Sequence, residues 1–279
     1  CNQINMSSEG AFFLGGVGCA YLATTVSLPA GLHPAVCILA AGLIGALVCA
    51  IPALLYIKFR ALPVVSSLMV NYVALYLGLF VINYIIRDPA AGYLCSFEYL
   101  DSAVLPHLFS KTKIHLGLVI AGIVIILSYL FLYRSKAGYA IRMVGMNSNF
   151  AKYSGISVMG TILGCQLIGG FIAGVGGAVE QLGMYNRFQY QSLSNHGFDG
   201  IMIAILARYN PKFVPIAALF LAYIRVGADV MARTSDVPVE IVNIIQAVVI
   251  MFVAAERFLE GWRHRRIVAA SQSVSRKEA

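Results

Sequence analysis

Long apolar stretches separated by short polar segments dominate the sequence. Six of them are long enough to cross a bilayer, because about 30 Å of hydrocarbon takes roughly 20 helical residues. They comprise residues 10–28, 35–57, 68–86, 114–133, 159–179 and 239–255. Backbone groups in lipid must bond within their own segment, so we predict that each stretch is a helix. The pattern predicts an all-α, polytopic membrane helical bundle.

Two further apolar stretches differ from these six. Residues 213–230 are interrupted by Arg225 and Asp229, which lie on one helix face and are expected to pair. Residues 198–207 reach only about 15 Å as a helix. We predict a broken half-helix there, or the end of a longer, more polar crossing. Interrupted helices place polar groups near the midplane, where transporters bind cargo. The bundle is thus expected to make about eight crossings with one short or broken helix.

The composition excludes several classes of protein. Hydrophobic residues make up 59% of the 279 residues and charged residues only 11%, against about 25% in a typical soluble domain. A soluble globular enzyme, a disordered regulator and a nucleic-acid-binding domain are therefore excluded, and membrane lipid is the expected surrounding. The chain opens at Cys1 on a polar stretch, and we expect a further N-terminal span upstream of it.

Basic residues are divided unequally between the two predicted sides of the membrane. Fourteen Lys and Arg residues follow or precede the spans on one side and five on the other, with Arg225 inside a span. Cytoplasmic loops carry the excess of Lys and Arg, so the richer side is predicted to be cytoplasmic. We expect a membrane domain over residues 1–260 and a basic cytoplasmic tail over residues 261–279.

Glycines at four-residue spacing indicate close helix packing in the 159–179 stretch. Gly160 with Gly164, and Gly170 with Gly174, form pairs of the kind that let helix backbones approach in lipid. We interpret both pairs as packing contacts. Residues 114–133 are by contrast almost entirely Ile, Leu and Val, and we expect that helix to face lipid.

The sequence lacks the motifs of an enzyme. It contains no GxxxxGK[ST] phosphate loop, and none of its five histidines precedes a glutamate as in an HExxH zinc site. The six cysteines show no metal-ligand spacing. We therefore predict no catalytic residue, no metal and no cofactor. If ATP drives this protein, another chain must hydrolyse it.

The predicted cytoplasmic loop 135–158 is longer than a connector needs. Asn147 or Ser148 can cap a short helix that ends at Gly155, a residue suited to the position after a helix C-terminus. We expect the flanking glycines to form rigid turns, with Arg142 and Lys152 exposed. Two interpretations remain open at this point: the loop is a docking element for another subunit, or it is an interfacial amphipathic helix.

This loop resembles the coupling segment of ABC-importer permeases of the branched-chain amino acid, ribose and nucleoside type. The matching positions are Gly138, Ile141, Arg142, Val144, Gly145, Asn147, Ala151, Tyr153, Gly155 and Ile156. Ser135 stands where the family has Thr, and Met143 where it has Ala.

Three further segments resemble the same family. Gly197-Phe198-Asp199-Gly200, followed by Asn210-Pro211, resembles its GFDG stretch. Residues 4–10 resemble its FNIGxEG motif. Residues 68–72 resemble the LMLNY segment of the nucleoside-type members, so the resemblance is closest to the nucleoside (simple-sugar-like) permeases.

The resemblance implies a permease subunit, not an enzyme, in a bacterial-type cell membrane, with its C-terminus cytoplasmic. It implies three partners: a second permease subunit in a homo- or heterodimer, a cytoplasmic ABC ATPase and an extracytoplasmic substrate-binding lipoprotein. The coupling residues would be Gly138, Arg142, Gly145, Asn147, Tyr153 and Gly155. Nucleosides are the expected cargo, with a ribose-type sugar or a branched-chain amino acid as the near alternative. An ion-coupled secondary transporter is the alternative from another class.

Several polar and aromatic residues within the spans could contact cargo. A charge in the membrane costs about 2.5–3.5 kcal/mol on insertion scales, so it needs a partner or a purpose. Glu9 and Asp199 begin their apolar segments, where the helix dipole also favours a carboxylate. Amides can bond ribose and base without fixed charge, and aromatic rings can stack on a base. We expect the translocation path to be lined by Asn5, Glu9, Asn71, Tyr72, Phe198 and Asp199.

Overall fold

The helices of this chain begin and end close to the limits set by the apolar pattern. A computed structural model describes residues 5–29, 31–108 and 114–234, together with Ile244 and Val248. These residues form nine α-helices, with two isolated β-bridges and no named strand. The helices are α1 Ser8–Thr25, α2 Leu32–Phe59, α3 Pro63–Tyr84, α4 Gly117–Arg134, α5 Lys136–Met146, α6 Ser148–Tyr153, α7 Val158–Met184, α8 His196–Leu206 and α9 Val214–Thr234. The all-α prediction is confirmed.

Four of these helices, α2, α3, α4 and α7, are long and apolar enough to cross a membrane. The predicted stretches 10–28, 198–207 and 213–230 are also helical, as α1, α8 and α9. The predicted crossing 239–255 and the tail 261–279 lie outside the described residues, as does the side chain of Asp229. The count of about eight crossings, the Arg225–Asp229 pair and the location of the C-terminus therefore stay predictions.

The chain divides into two compact units, residues 1–199 and residues 200–279. In the first unit, α1, α2 and α7 pack together through glycine and alanine. A Cβ atom at Gly45 would collide with the Gly170 carbonyl oxygen, and one at Gly174 with the Ala41 carbonyl oxygen. Backbones therefore touch directly at this crossing, and the packing interpretation of Gly170 and Gly174 is confirmed. A Cβ atom at Gly164 meets no described residue within 4 Å, so the same interpretation is wrong for Gly164 within the described part of the chain.

Residues 86–106, between α3 and α4, fold back over one end of this helix trio. Backbone N–H groups of Leu100 and Leu105 donate to the carbonyls of Ala23 on α1 and Leu182 on α7. The Tyr99 hydroxyl donates to Gln181 Oε1 at 3.0 Å. Burial raises the pKa of Tyr99 well above its usual value, so the phenol stays a donor.

His115, just before α4, is expected to make this region sensitive to acid. Its Nδ1 accepts a hydrogen bond from the Gly117 N–H at 3.1 Å, which requires the unprotonated nitrogen. Burial lowers the pKa of His115, and the neighbouring His107 lowers it further. A lowered histidine pKa gives stability that is fully present above the unfolded value of about 6.5. That stability is lost as pH falls through the folded value.

We therefore expect the purified protein to have a lower thermal unfolding midpoint at about pH 5 than at about pH 7.5. His115→Asn keeps an acceptor for Gly117 but does not titrate, so its midpoint should fall less. Thermal unfolding in detergent at both pH values measures the two differences. Equal falls in the parent and the variant would contradict the assignment to His115.

Candidate translocation site and coupling segment

The amino end of α1 lies inside the bundle. The Ser7 hydroxyl donates to Cys49 Sγ on α2 at 3.2 Å, and Asn5 Nδ2 donates to the Cys49 carbonyl at 3.3 Å. Cys49 lies about 15 Å from the end of α2 at Phe59. Asn5 also donates to Gln166 Oε1 on α7 at 2.6 Å. Asn5 therefore belongs to a polar cluster that joins α1, α2 and α7.

Asn71 caps α1 from a neighbouring helix. Its Oδ1 accepts from the Gly10 N–H at 2.8 Å, and its Nδ2 donates to the Met6 carbonyl at 2.9 Å. The first N–H groups of a helix have no partner within it, and a buried one must find another acceptor. Asn71 is only 1% exposed. Its amide thus ties α3 to the beginning of α1.

Glu9 joins the beginning of α1 to the beginning of α8. Its Oε1 accepts from the Asn195 N–H at 2.7 Å and the Ser194 hydroxyl at 3.2 Å, and its Oε2 accepts from the Gly197 N–H at 2.6 Å. The side chain is fully buried. Two helix N-termini converge on this carboxylate, and both favour negative charge. The three donors and the two dipoles offset its removal from water.

A glycine is required where the two helices meet. A Cβ atom at Gly197 would come 2.5 Å from the Glu9 nitrogen and 2.6 Å from its Cα. Only glycine leaves room for the backbone of α8 to approach Glu9 this closely. The short helix predicted from residues 198–207 therefore begins beside the first turn of α1, inside the bundle.

The remaining candidate path residues lie in different surroundings. Asp199 is 7% exposed in the first turn of α8, while Phe198 is half-buried. His196 stacks on the Phe12 ring at 5.3 Å, and its Nε2 lies 3.4 Å from Glu180 Oε1. Tyr72 is 59% exposed on the outside of α3. The structure thus brings Asn5, Glu9, Asn71 and Asp199 to the helix N-termini and places Tyr72 on an open face.

The segment 135–157 begins with a tight turn between α4 and α5. The Ser135 hydroxyl donates to the Phe131 carbonyl at 2.6 Å and accepts from the Gly138 N–H at 2.9 Å. A Cβ atom at Gly138 would collide with the Phe131 carbonyl oxygen and lie 2.6 Å from that of Leu132. Gly138 therefore allows α5 to lie directly against the end of α4.

A second helix follows as predicted. The Asn147 side chain accepts from the Phe150 N–H at 3.0 Å, so it caps α6, and Gly155 has a φ of 79°, in the left-handed region that suits glycine. The expectation of rigid glycine turns on both sides is wrong for Gly145. That residue lies within α5, since capping by Ser135 and helix-compatible residues continue the helix to Met146.

A small apolar cluster fixes the segment on the bundle. Val144, Ala151 and Ile162 are buried together, with Tyr56 of α2 packed against them. The opposite surface is open: the exposed fraction is 83% for Met146, 55% for Phe150 and 91% for Tyr153. The Arg142 guanidinium lies 5.0 Å from the centre of the Tyr133 ring, where a cation–π contact braces α5 on α4.

Comparison with known proteins identifies the family. The family described as the permease component of the branched-chain amino acid transport system matches residues 1–254. The chain belongs to this family. The permease is an integral membrane protein, in agreement with its four long apolar helices.

Curated relatives are similar along most of the permease. It is 31% identical over 266 residues to the guanosine ABC transporter permease protein of Bacillus subtilis, with 92% of this chain and 76% of the relative covered. It is 31% identical over 273 residues to the glucose ABC transporter permease protein of Haloferax volcanii, with 93% and 71% covered. A nucleoside ABC transporter permease protein of Lactococcus lactis is 27% identical over 243 residues, with 84% and 66% covered. No solved structure matches the chain.

Sequence reasoning missed several residues of the polar cluster. Ser194 and Asn195 bond Glu9, and Ser67 accepts from the Met6 N–H at 3.1 Å. Gly197 belongs to a motif that the sequence shows, but the motif does not predict its close approach to Glu9. A polar stretch directly before a short apolar helix is the one signal that could have pointed to residues 194 and 195.

Proposed function

We propose that this chain is the transmembrane permease subunit of an ABC importer and that its cargo is a nucleoside. Its family membership supports the general role, and the guanosine and nucleoside permeases among its relatives support the cargo. The glucose permease of Haloferax volcanii makes a sugar the competing cargo. In this proposal the chain pairs with a second permease subunit, a cytoplasmic ATPase and an extracytoplasmic binding lipoprotein. The ATPase subunit hydrolyses ATP.

The segment 135–157 is the proposed docking site for the ATPase. It is anchored on α2 and α7 by its apolar cluster, while Met146, Phe150 and Tyr153 are open to a partner. Exposed apolar groups of this kind mark interaction surfaces in helical proteins. Because the backbones of α5 and α4 contact each other directly at Gly138, a displacement of α5 would also move α4. This combination of a rigid base and an open apolar tip carries the proposed coupling role.

Uptake in a deletion strain tests the cargo. A strain lacking this chain should lose uptake of radiolabelled guanosine and adenosine and should regain both with the gene on a plasmid. Uptake of labelled glucose and ribose should stay unchanged. Loss of sugar uptake with intact nucleoside uptake would show that the cargo is a sugar and not a nucleoside. Nucleoside uptake that persists after removal of the copurifying ATPase would favour the secondary transporter.

Substitution of Tyr153 tests the coupling role. Tyr153→Asp should leave the amount of permease in the membrane unchanged, because the side chain is 91% exposed, yet should lower uptake by roughly tenfold or more by placing a charge in an apolar interface. Arg142→Glu should also reduce uptake, since it loses the contact with Tyr133. Uptake and membrane abundance are measured together. Tyr93→Asp, at an exposed tyrosine outside this segment, is the matched control.

Normal uptake by both Tyr153→Asp and Arg142→Glu at normal abundance would count against this docking site. Loss of both variants from the membrane would show a structural role instead. An intermediate check is ATPase activity of the purified complex, which should no longer respond to cargo in the Tyr153 variant.

A further inference from the structure

One face of α3 is lined by aromatic side chains at four-residue spacing. Tyr72, Tyr76, Phe80 and Tyr84 are exposed by 59%, 69%, 54% and 74%. Side chains four apart lie above one another on a helix, so they form a continuous ladder along α3. Phe80 and Tyr84 already contact each other, with ring centres 5.0 Å apart.

Another helix of the same bundle carries an exposed stripe of different chemistry. On α2, Leu39, Leu43, Leu47 and Ile51 are exposed by 57%, 62%, 67% and 46% at the same spacing. That stripe is purely aliphatic. The α3 face therefore differs from the α2 stripe by its aromatic rings, which accompany the exposed aliphatic side chains of Met69, Val73 and Leu77.

The phenol groups of Tyr72 and Tyr76 do not fit a lipid surface. The two residues flank the midpoint of α3, a helix of 22 residues, about 33 Å long. Tyrosine is favoured at membrane interfaces, where its hydroxyl meets water, whereas an unsatisfied polar group in hydrocarbon is costly. Neither hydroxyl has a hydrogen-bond partner within the described part of the chain. In hydrocarbon both hydroxyls would stay unsatisfied, whereas water or a polar ligand on this face would satisfy them.

A cavity of about 470 Å³ lies at the carboxyl end of the ladder. Phe80, Tyr84 and Leu94 give it apolar walls, and Asn83 and Arg87 supply polar groups. Arg87 Nη1 donates to Asn83 Oδ1 at 3.0 Å, which holds the pair at the cavity edge. This depression is open to the surroundings, and its volume falls in the range of small-molecule sites.

The buried polar residues are committed elsewhere. Glu9 and Asn71 accept hydrogen bonds from backbone N–H groups at helix N-termini, and Asn5 donates to Gln166 on α7 and to the Cys49 carbonyl on α2. They tie the first turn of α1 to its neighbours. The α3 ladder, in contrast, has exposed rings, and its phenol groups have no hydrogen-bond partner among the residues that the structure describes.

We propose that Tyr72, Tyr76 and Phe80 line the translocation path and that their rings stack on the base of a nucleoside as it passes. Asn83 and Arg87 bond its polar edge at one end of that path. Stacking suits a passage because it accepts any base and fixes no single position. This inference rests on the nucleoside cargo proposed above.

Cysteine accessibility in membranes containing the assembled importer tests the path. Tyr72→Cys and Tyr76→Cys should react with a membrane-impermeant methanethiosulfonate roughly tenfold or more faster than Leu47→Cys, because a thiol must ionise in water to react. Guanosine should slow the reaction at both positions, and glucose should not. The parent protein, whose described cysteines are buried or half-buried, gives the background.

Transport kinetics provide a second measurement. Tyr76→Leu should raise the KM for guanosine uptake roughly tenfold, the effect expected from removing one ring that stacks on a base. Tyr76→Phe keeps the ring and should retain the parent KM. The matched change Leu47→Ala on α2 should leave the KM unaltered.

The outcomes separate the two proposals. If cysteines at positions 72 and 76 react no faster than the one at position 47 while guanosine uptake is normal, the inference is overturned and the proposed cargo stands. If they react rapidly and glucose protects them but guanosine does not, the nucleoside is overturned as cargo. Equal KM values for Tyr76→Leu and Tyr76→Phe overturn the stacking role.

Discussion

Gly174→Leu is expected to abolish assembly of the helix bundle. A Cβ atom at this position collides with the Ala41 carbonyl oxygen and lies 2.9 Å from the Ala41 carbonyl carbon. Backbone atoms of α2 cannot rotate away as a side chain could, so α2 and α7 must separate. Overpacking in a core costs about 1–3 kcal/mol even where side chains can adjust, and this contact permits less adjustment. Since native proteins are stable by only about 5–15 kcal/mol, little folded permease should remain.

Size-exclusion profiles of a fluorescent fusion, extracted from membranes in mild detergent, measure this effect. Gly164→Leu is a control on the same helix, because a Cβ at Gly164 meets no described residue within 4 Å. It adds the same side chain without a collision with any described backbone atom. A normal profile for Gly174→Leu, or equal losses for the two variants, would contradict the packing seen at the α2–α7 crossing.

Glu9→Gln is expected to remove transport while retaining nearly the same side-chain shape. The carboxylate accepts at both oxygens, from Asn195 and Ser194 at Oε1 and from Gly197 at Oε2. An amide offers one acceptor and one donor, so one N–H group of α8 would face another N–H group. Hydrogen bonds to charged groups contribute about 1.5–3 kcal/mol each, and the loss would release the beginning of α8. We expect uptake to fall roughly tenfold or more.

Uptake and membrane abundance of Glu9→Gln, measured side by side, decide whether the effect lies in function or in folding. Glu98→Gln is the matched control, because Glu98 is largely exposed and its ion pair with Arg187 is of the surface type that contributes little. Glu9→Asp keeps the charge on a shorter stem and should retain part of the activity. Parent-like uptake by Glu9→Gln would show that neither the charge nor its second oxygen holds α8.

The ladder on α3 and the cap on α1 show how adjacent residues can have different tasks. Asn71 is buried and bonds the backbone of α1, whereas Tyr72 points to the open face. Successive residues on a helix are about 100° apart, so only one of two neighbours can face the core. Cargo contact by Asn71 stays a prediction, but its hydrogen bonds give it a clear structural task.

Caps, turns and short helices could be predicted from the sequence where they depend on nearby residues. The cap at Asn147, the left-handed turn at Gly155 and the short helix at residues 198–207 follow from side chains within a few positions. The continuation of α5 through Gly145 did not follow, because glycine only weakens a helix and the cap at Ser135 outweighs it.

The sequence by itself determined the all-α class, the positions of the apolar helices and the family, because hydropathy over about 20 residues is a local property that the bilayer enforces. The tertiary structure alone decided which glycines bring backbones together, which polar groups meet Glu9, and which face of α3 stays open. Gly164 and Gly174 look alike in the sequence, and only the path of α2 separates them. Such contacts join residues far apart in the chain, and in the membrane it is close packing of surfaces, not hydropathy, that selects them.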